Sequence, residues 1–137
     1  MVLPILSVKD MTASLDFYIR QLGWSKLFGL PGSGGSDMFS MVSPHAGVSY
    51  GLSASDSPDP RGQGVVLMTY VADDVDIDGY YAECQSRGTV ITTEIKDEYW
   101  GDRCFQVSDP DGYSIMFCKT IKNVTAEEVI ASMAQSS

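Results

Sequence analysis

Basic side chains are scarce in this sequence: nine Lys and Arg stand against 18 Asp and Glu in 137 residues, a net charge of −9. A phosphate backbone would be repelled over any extended contact, which argues against nucleic acid as a partner. The acid excess favours solubility and the approach of a cationic ligand. Long apolar runs are also missing. No stretch approaches a membrane span, and Met1-Val2-Leu3-Pro4 lacks the basic start and apolar run of a signal peptide. The expectation is a cytoplasmic protein with no membrane partner. Histidine is reduced to His45, and cysteine to Cys84, Cys104 and Cys118 with no Cys-x-x-Cys spacing. Such spacing points to neither a disulfide framework nor a zinc cluster, and the thiols read as reduced and mostly buried. A hydrophobic content of 44% then gives the chain enough apolar material for the core of one globular domain.

One pattern occurs twice. Ser7-Val8-Lys9-Asp10 leads to Phe17-Tyr18 and Gly23, and Val71-Ala72-Asp73-Asp74 leads to Tyr80-Tyr81 and Gly88. Asp10 to Asp73 and Phe17 to Tyr80 are the same shift of 63 residues. Each copy holds a short apolar strand, an acidic turn that caps a helix, an aromatic pair on the helix and a glycine that stops it. The period is too long for a solenoid unit and suits two half-domains sharing one sheet. The chain divides into a single domain over residues 1–120, with modules 1–58 and 64–120, and a helical tail over 121–137.

Residues 2–8 form the first expected strand, with Pro4 tolerated only near a strand start or edge. Asp10 or Thr12 caps a helix to about residue 22, whose stripe of Leu15, Tyr18, Ile19 and Leu22 suits a core. A strand at 24–30 precedes a flexible Gly/Ser loop at 31–36, of the kind that borders ligand sites. Strands at 38–42 and 48–53 flank a turn at 44–47, where His45 is expected as a solvated side chain, and 55–64 has linker composition. The second module repeats the order. It has a strand at 65–71, a helix capped by Asp74 and running to Arg87, and strands at 89–93, 104–107 and 114–118, the last two around the tight turn Asp109-Pro110-Asp111-Gly112. Asp109 and Asp111 are expected as turn formers, and Thr125 as the cap of a tail helix to about residue 134.

Two segments carry a family resemblance: Val8-Lys9-Asp10-Met11-x-x-Ser14-x-x-Phe17-Tyr18-x-x-x-Leu22-Gly23, and Trp100-Gly101-x-Arg103-x-Phe105-x-x-x-Asp109-Pro110-Asp111-Gly112. With them the chain resembles the vicinal oxygen chelate superfamily, which groups glyoxalases, bleomycin-resistance proteins and extradiol dioxygenases, from Val2 to Lys119. The resemblance implies an α+β fold of two tandem βαβββ modules forming a cupped eight-stranded mixed sheet, plus the short C-terminal helix. Metal-dependent members hold a divalent ion at four strand positions, and counting along this chain places Leu3, Leu67 and Met116 at three of them and the neighbourhood of Gly51 at the fourth. Those side chains do not supply imidazole or carboxylate, so the expected cofactors and metals are none. The lyase, isomerase and dioxygenase chemistries of the superfamily need a Lewis acid and become the alternative reading.

Strand periodicity turns Leu3, Ile5 and Ser7, then Leu67, Thr69 and Val71, then Ser114, Met116 and Cys118 toward one mostly apolar cup. Such a lining suits a flat, hydrophobic molecule. Among metal-free relatives the chain looks most like the bleomycin-resistance proteins, through Pro4, the Trp100-Gly101-x-Arg103 segment and its acidity. That likeness implies a homodimer with its first strand exchanged at Pro4, and Trp100 with Tyr99 as a stacking wall. A packed hairpin end suits Tyr99 and Trp100 equally. Arg103 is expected to pair with Asp102 or Glu98. The expected function is sequestration of a small aromatic or cationic compound, such as an antibiotic, at Trp100, Tyr99, Tyr50, Tyr70, Leu3, Ile5, Leu67, Met116 and Cys118. A dimerising module whose cup is plugged by Met38, Met41, Met68 and Met116 is the plain alternative.

Overall fold

Asp10 starts the first helix as its place after a short strand requires. In the computed structural model of the chain, which describes residues 2–136, its Oδ1 accepts the Ala13 N–H at 3.2 Å and satisfies one free donor of the first turn. Helix α1 spans Met11–Leu15 and widens into π-helical winding over Asp16–Gln21. There the Leu22 N–H donates to the Phe17 carbonyl, five residues back, at 2.9 Å. An α-helix swings successive side chains about 100° apart, yet Phe17 and Tyr18 are both buried. The wider turn accompanies that double burial. Gly23 (φ 74°) and Gly88 (φ 86°) adopt the left-handed backbone that ends the two main helices. Asp74 does not cap the second helix: the chain first turns, with the Val75 N–H on the Ala72 carbonyl at 2.9 Å, and α2 spans Ile77–Ser86 with Asp76 at its cap position.

Each module forms one four-stranded mixed sheet. Strands β1 (Ile5–Val8), β2 (Ser25–Pro31), β3 (Asp37–His45) and β4 (Val48–Ala54) stand in the order β1-β4-β3-β2. Strands β5 (Val66–Tyr70), β6 (Val90–Asp97), β7 (Asp102–Ser108) and β8 (Ser114–Thr120) repeat it as β5-β8-β7-β6. The first and last strands of each module pair in parallel and the rest pair antiparallel. The fold is therefore α+β with tandem βαβββ modules, its eight strands divided into two sheets of four. Strand β3 runs through Pro44 and His45, which the sequence places in the turn, and β6 reaches Asp97 rather than ending near residue 93. Helix α3 spans Ala126–Ser136, and Thr125 Oγ1 accepts the Glu128 N–H at 3.1 Å. The segment 55–64 has no regular structure but is tied down, because Arg61 Nη2 donates to the carbonyls of Ser55 and Ser57 at 2.9 Å each.

The two modules share one core. Leu6, Val8, Trp24, Val42 and Leu52 of the first belong to the same buried cluster as Phe105, Val107, Ile115 and Phe117 of the second. Trp24 meets Phe117 edge to face, with ring centroids 6.1 Å apart. Polar atoms enter this seam in pairs. Tyr18 OH donates to Asp109 Oδ2 at 2.8 Å, and Tyr50 OH bonds Thr69 Oγ1 at 2.5 Å. Trp24 Nε1 donates to Tyr80 OH at 3.2 Å, and that hydroxyl donates to the Leu22 carbonyl at 2.7 Å. Asp109 also fulfils its role in the turn, with Oδ1 accepting the N–H groups of Asp111 and Tyr113. Burial raises the pKa of Tyr18 well above its ordinary value, and the Asp109 charge adds to the rise.

Replacing Tyr18 by Phe removes the donor of a buried carboxylate oxygen and should cost about 1–3 kcal/mol in denaturant unfolding. The raised phenol pKa also fixes a pH dependence. Its stabilisation is complete below the unfolded value of 10.0 and declines as pH rises toward the higher folded value. The Tyr18→Phe variant should lose less stability than the parent above that point; identical alkaline slopes would contradict the assignment.

Candidate functional site

Packing the helix-side faces of both sheets into one core turns their other faces outward. In the second sheet the register sets Met68 beside Met116 and Tyr70 beside Cys118, with Gln106 opposite Met116 and Cys104 opposite Cys118. Alternation places Phe105, Val107, Ile115 and Phe117 on the buried side. Apolar side chains stand open on the outward face, beside Gln106, Ser108 and Ser114: Val66 is 53% exposed, Met68 44% and Tyr70 46%. The first sheet does the same, with Ile5, Gly51, Met41 and Phe28 in one row and Ile5 60% exposed. Contiguous apolar surface of this kind marks a binding or association face.

At one end of the second face a single carboxylate holds two aromatic side chains, and a third packs on one of them. Asp102, 3% exposed, accepts Tyr70 OH at 2.6 Å and Trp100 Nε1 at 3.0 Å, both at Oδ2. Tyr99 packs edge-on against Trp100 with centroids 5.0 Å apart. The hydrogen bond to Asp102 lifts the Tyr70 phenol to about 12, with burial as the lesser cause. Tyr70 therefore stays a neutral donor at physiological pH. The supporting turn depends on Gly101, whose φ is 99° and whose carbonyl accepts the N–H groups of Ile121 and Lys122. A Cβ at Gly101 would lie 2.1 Å from the Lys122 carbonyl oxygen. Two aromatic planes with a fixed polar edge can stack a flat molecule without inducing its order.

Of the residues singled out in the sequence, Tyr70, Tyr99, Trp100, Met116 and Cys118 come together on this face, and Ile5 lies on the matching face of the first sheet. Leu3 is half-buried and precedes β1. Leu67 and Thr69 face the core, not the cup, because the parallel register pairs Leu67 with Ile115 and Thr69 with Phe117. Tyr50 is also in the core, 5% exposed, on the far side of β4 from Gly51. Arg103 joins neither Asp102 nor Glu98. It lies on the helix-side face and binds Asp78 and Asp97 at 2.8 Å each. His45 is not a free turn residue: its Nε2 donates to the Tyr70 carbonyl at 2.9 Å and ties β3 to β5. A cleft of 530 Å³ opens beside that link, lined among others by Trp24, Tyr70, Tyr80 and Phe117 with Asp76 and Glu83.

The positions equivalent to metal ligands do not fit a divalent ion. Gly51 has no side chain, Leu3 and Leu67 offer only hydrocarbon, Leu67 faces away, and the Met116 thioether is soft and uncharged. Among the described residues, no helix is long and apolar enough to cross a membrane.

Residues 2–117 match the family model described as Glyoxalase/Bleomycin resistance protein/Dioxygenase superfamily. The uncharacterized protein Rv0887c of Mycobacterium tuberculosis is 25% identical over 138 residues, covering 96% of this chain and 81% of its own. Among solved structures, TnmS3, an antibiotic binding protein from Streptomyces sp. CB03234, is 30% identical with a TM-score of 0.61, covering 85% of this chain and 93% of that one. TioX from Micromonospora sp. ML1 matches with a TM-score of 0.71 at 19% identity, over 87% of this chain and 97% of that one, a likeness of fold.

Gly101→Ala should lower stability by about 1–3 kcal/mol, since it forces a side chain into the left-handed region against backbone. It should also shift Trp100 emission as the turn moves; unchanged thermal unfolding would contradict this packing.

Proposed function

Because this chain belongs to the Glyoxalase/Bleomycin resistance protein/Dioxygenase superfamily, we propose that it is a small-molecule binding protein that sequesters a flat aromatic or cationic compound without transforming it. The observation that carries the reading is the outward aromatic cluster in which the Asp102 carboxylate holds Tyr70 and Trp100, with Tyr99 packed on Trp100, beside the exposed Val66 and Met68 of the same sheet face. Its ligand is held by stacking and apolar burial rather than by coordination at the superfamily's usual metal positions. The net charge of −9 draws a cation toward the face. The antibiotic binding protein TnmS3, similar over 85% of this chain, supports an antibiotic as the class of ligand and resistance by sequestration as the role.

The open faces of both sheets support a homodimer. Ile5, Phe28 and Leu30 of the first sheet and Val66, Met68 and Tyr70 of the second are each 45% exposed or close to it and more, and a second copy would close them into a cavity. Within the chain, β1 pairs with its own β4, and the Pro4 carbonyl accepts the Gly51 N–H at 2.8 Å. Exchange of the first strand at Pro4 would keep those bonds but make them between subunits.

Titration with a panel of flat aromatic antibiotics, read by Trp fluorescence, tests the function. At least one should quench emission with saturation, and Trp100→Ala should weaken it by roughly tenfold or more. Saturable binding unchanged in Trp100→Ala would remove this cluster from the site. Light scattering should give twice the chain mass of 14.9 kDa.

A further inference from the structure

Asp102 is a buried carboxylate to which Tyr70 and Trp100 both donate at Oδ2. Arg103, the adjacent residue, projects from the opposite face to Asp78 and Asp97. Lys96, in register with Cys104 across β6 and β7, directs its ammonium to Glu98 at 3.7 Å. Among the described residues, no Lys, Arg or His forms an ion pair with Asp102. A carboxylate out of water normally needs such a partner.

Beside it lie two sulfur atoms. Cys104 and Cys118 are direct cross-strand partners on β7 and β8, both buried, with Sγ atoms 3.1 Å apart. The two Sγ atoms and a carboxylate oxygen of Asp102 all lie within 4.8 Å of one another. Three donors thus converge from two adjacent strands of a rigid sheet. Two are soft sulfurs and one is anionic oxygen, a set that selects zinc-like ions over magnesium or calcium.

We propose that Asp102, Cys104 and Cys118 bind one thiophilic divalent cation of the zinc type. Each thiol releases its proton to solvent and coordinates as thiolate, so that the ion enters and two protons leave, with no change of oxidation state. Zinc–sulfur bonds of about 2.3 Å in a tetrahedron hold two sulfurs about 3.8 Å apart, so the present pair at 3.1 Å would have to open on loading. Tyr70 and Trp100, bonded to Oδ2, orient the carboxylate and leave Oδ1 outside both bonds for the ion. The fourth position is left for water or a donor atom of a bound molecule. This site lies at the end of the sheet face, apart from Gly51, Leu67 and Met116, and does not depend on the stacking function proposed above.

The full chain, reduced and desalted after exposure to Zn(II) or Co(II), should retain about one ion. The cobalt form should show thiolate-to-metal charge-transfer absorption. Cys118→Ser and Cys104→Ser should each abolish that band, and Asp102→Asn should weaken retention at least tenfold while leaving both thiols. Should a serine variant fail to fold, the band in the parent decides. Loading without a thiolate band, no retained metal, or a purified chain with one titratable thiol instead of three would each overturn the site. Antibiotic titration of the metal-stripped chain separates the two proposals, since stacking on Trp100 needs no metal.

Discussion

The rest of the molecule depends on the burial of both sheets' helix-side faces against each other. Trp24, Tyr18 and Tyr50 of the first module interlock with Phe117, Asp109 and Thr69 of the second, so neither sheet can present its other face inward. Ile5, Phe28, Leu30, Val66, Met68 and Tyr70 on those other faces are consequently left at the surface. The open apolar face is the geometric counterpart of the shared core and not a failure of packing. Of the four methionines named for a plugged cup, Met68 and Met38 are 44% and 50% exposed, and Met41 and Met116 are half-buried.

Within that open face the charge is concentrated at one buried point. Asp102 holds two aromatic rings through neutral donors, an arrangement that costs desolvation of a carboxylate without an ion pair to offset it. Fixing Tyr70 and Trp100 before a ligand arrives lowers the ordering entropy that stacking would otherwise cost. The same uncompensated carboxylate beside two thiols makes the end of the face attractive to a soft cation. Aromatic wall and donor triangle are two uses of one electrostatic imbalance.

Much of the architecture was legible because it is local. Asp10, Gly23 and Gly88 announce helix ends by their own backbone chemistry, and the 63-residue shift announces the duplication. The turn at residues 109–112 was legible, but not the register beyond it: a four-residue turn sets Ser108 opposite Tyr113, whereas the structure pairs Ser108 with Ser114. Leu67 was not legible either, because the parallel pairing of β5 with β8 has no connecting turn, and a one-residue change of register moves a side chain to the other face. Tyr50 failed for a related reason: nothing local says that its hydroxyl finds Thr69 across the module seam. Arg103 was misassigned despite an available signal, because alternation alone sets Arg103 and Asp102 on opposite faces. The cysteine pair was not legible, since it rests on the observed β7–β8 register that carries Cys104 onto Cys118 and no short spacing motif marks it.

The β7–β8 hairpin is anchored by Asp109. Its Oδ1 holds the turn by accepting from Asp111 and Tyr113, and its Oδ2 receives Tyr18 from the other module. One residue therefore anchors the hairpin both in register and in the core. Counting outward from that turn, Ser108 meets Ser114, Gln106 meets Met116, Cys104 meets Cys118 and Asp102 meets Thr120. A slip of β8 by one residue against β7 would turn Cys118 away from Cys104 and send Ile115 and Phe117 into water. The hydrophobic penalty of exposing those two side chains, about 1.5–3 kcal/mol each, thus holds the thiol pair in place. The chemistry at the end of the face is specified by the apolar packing behind it.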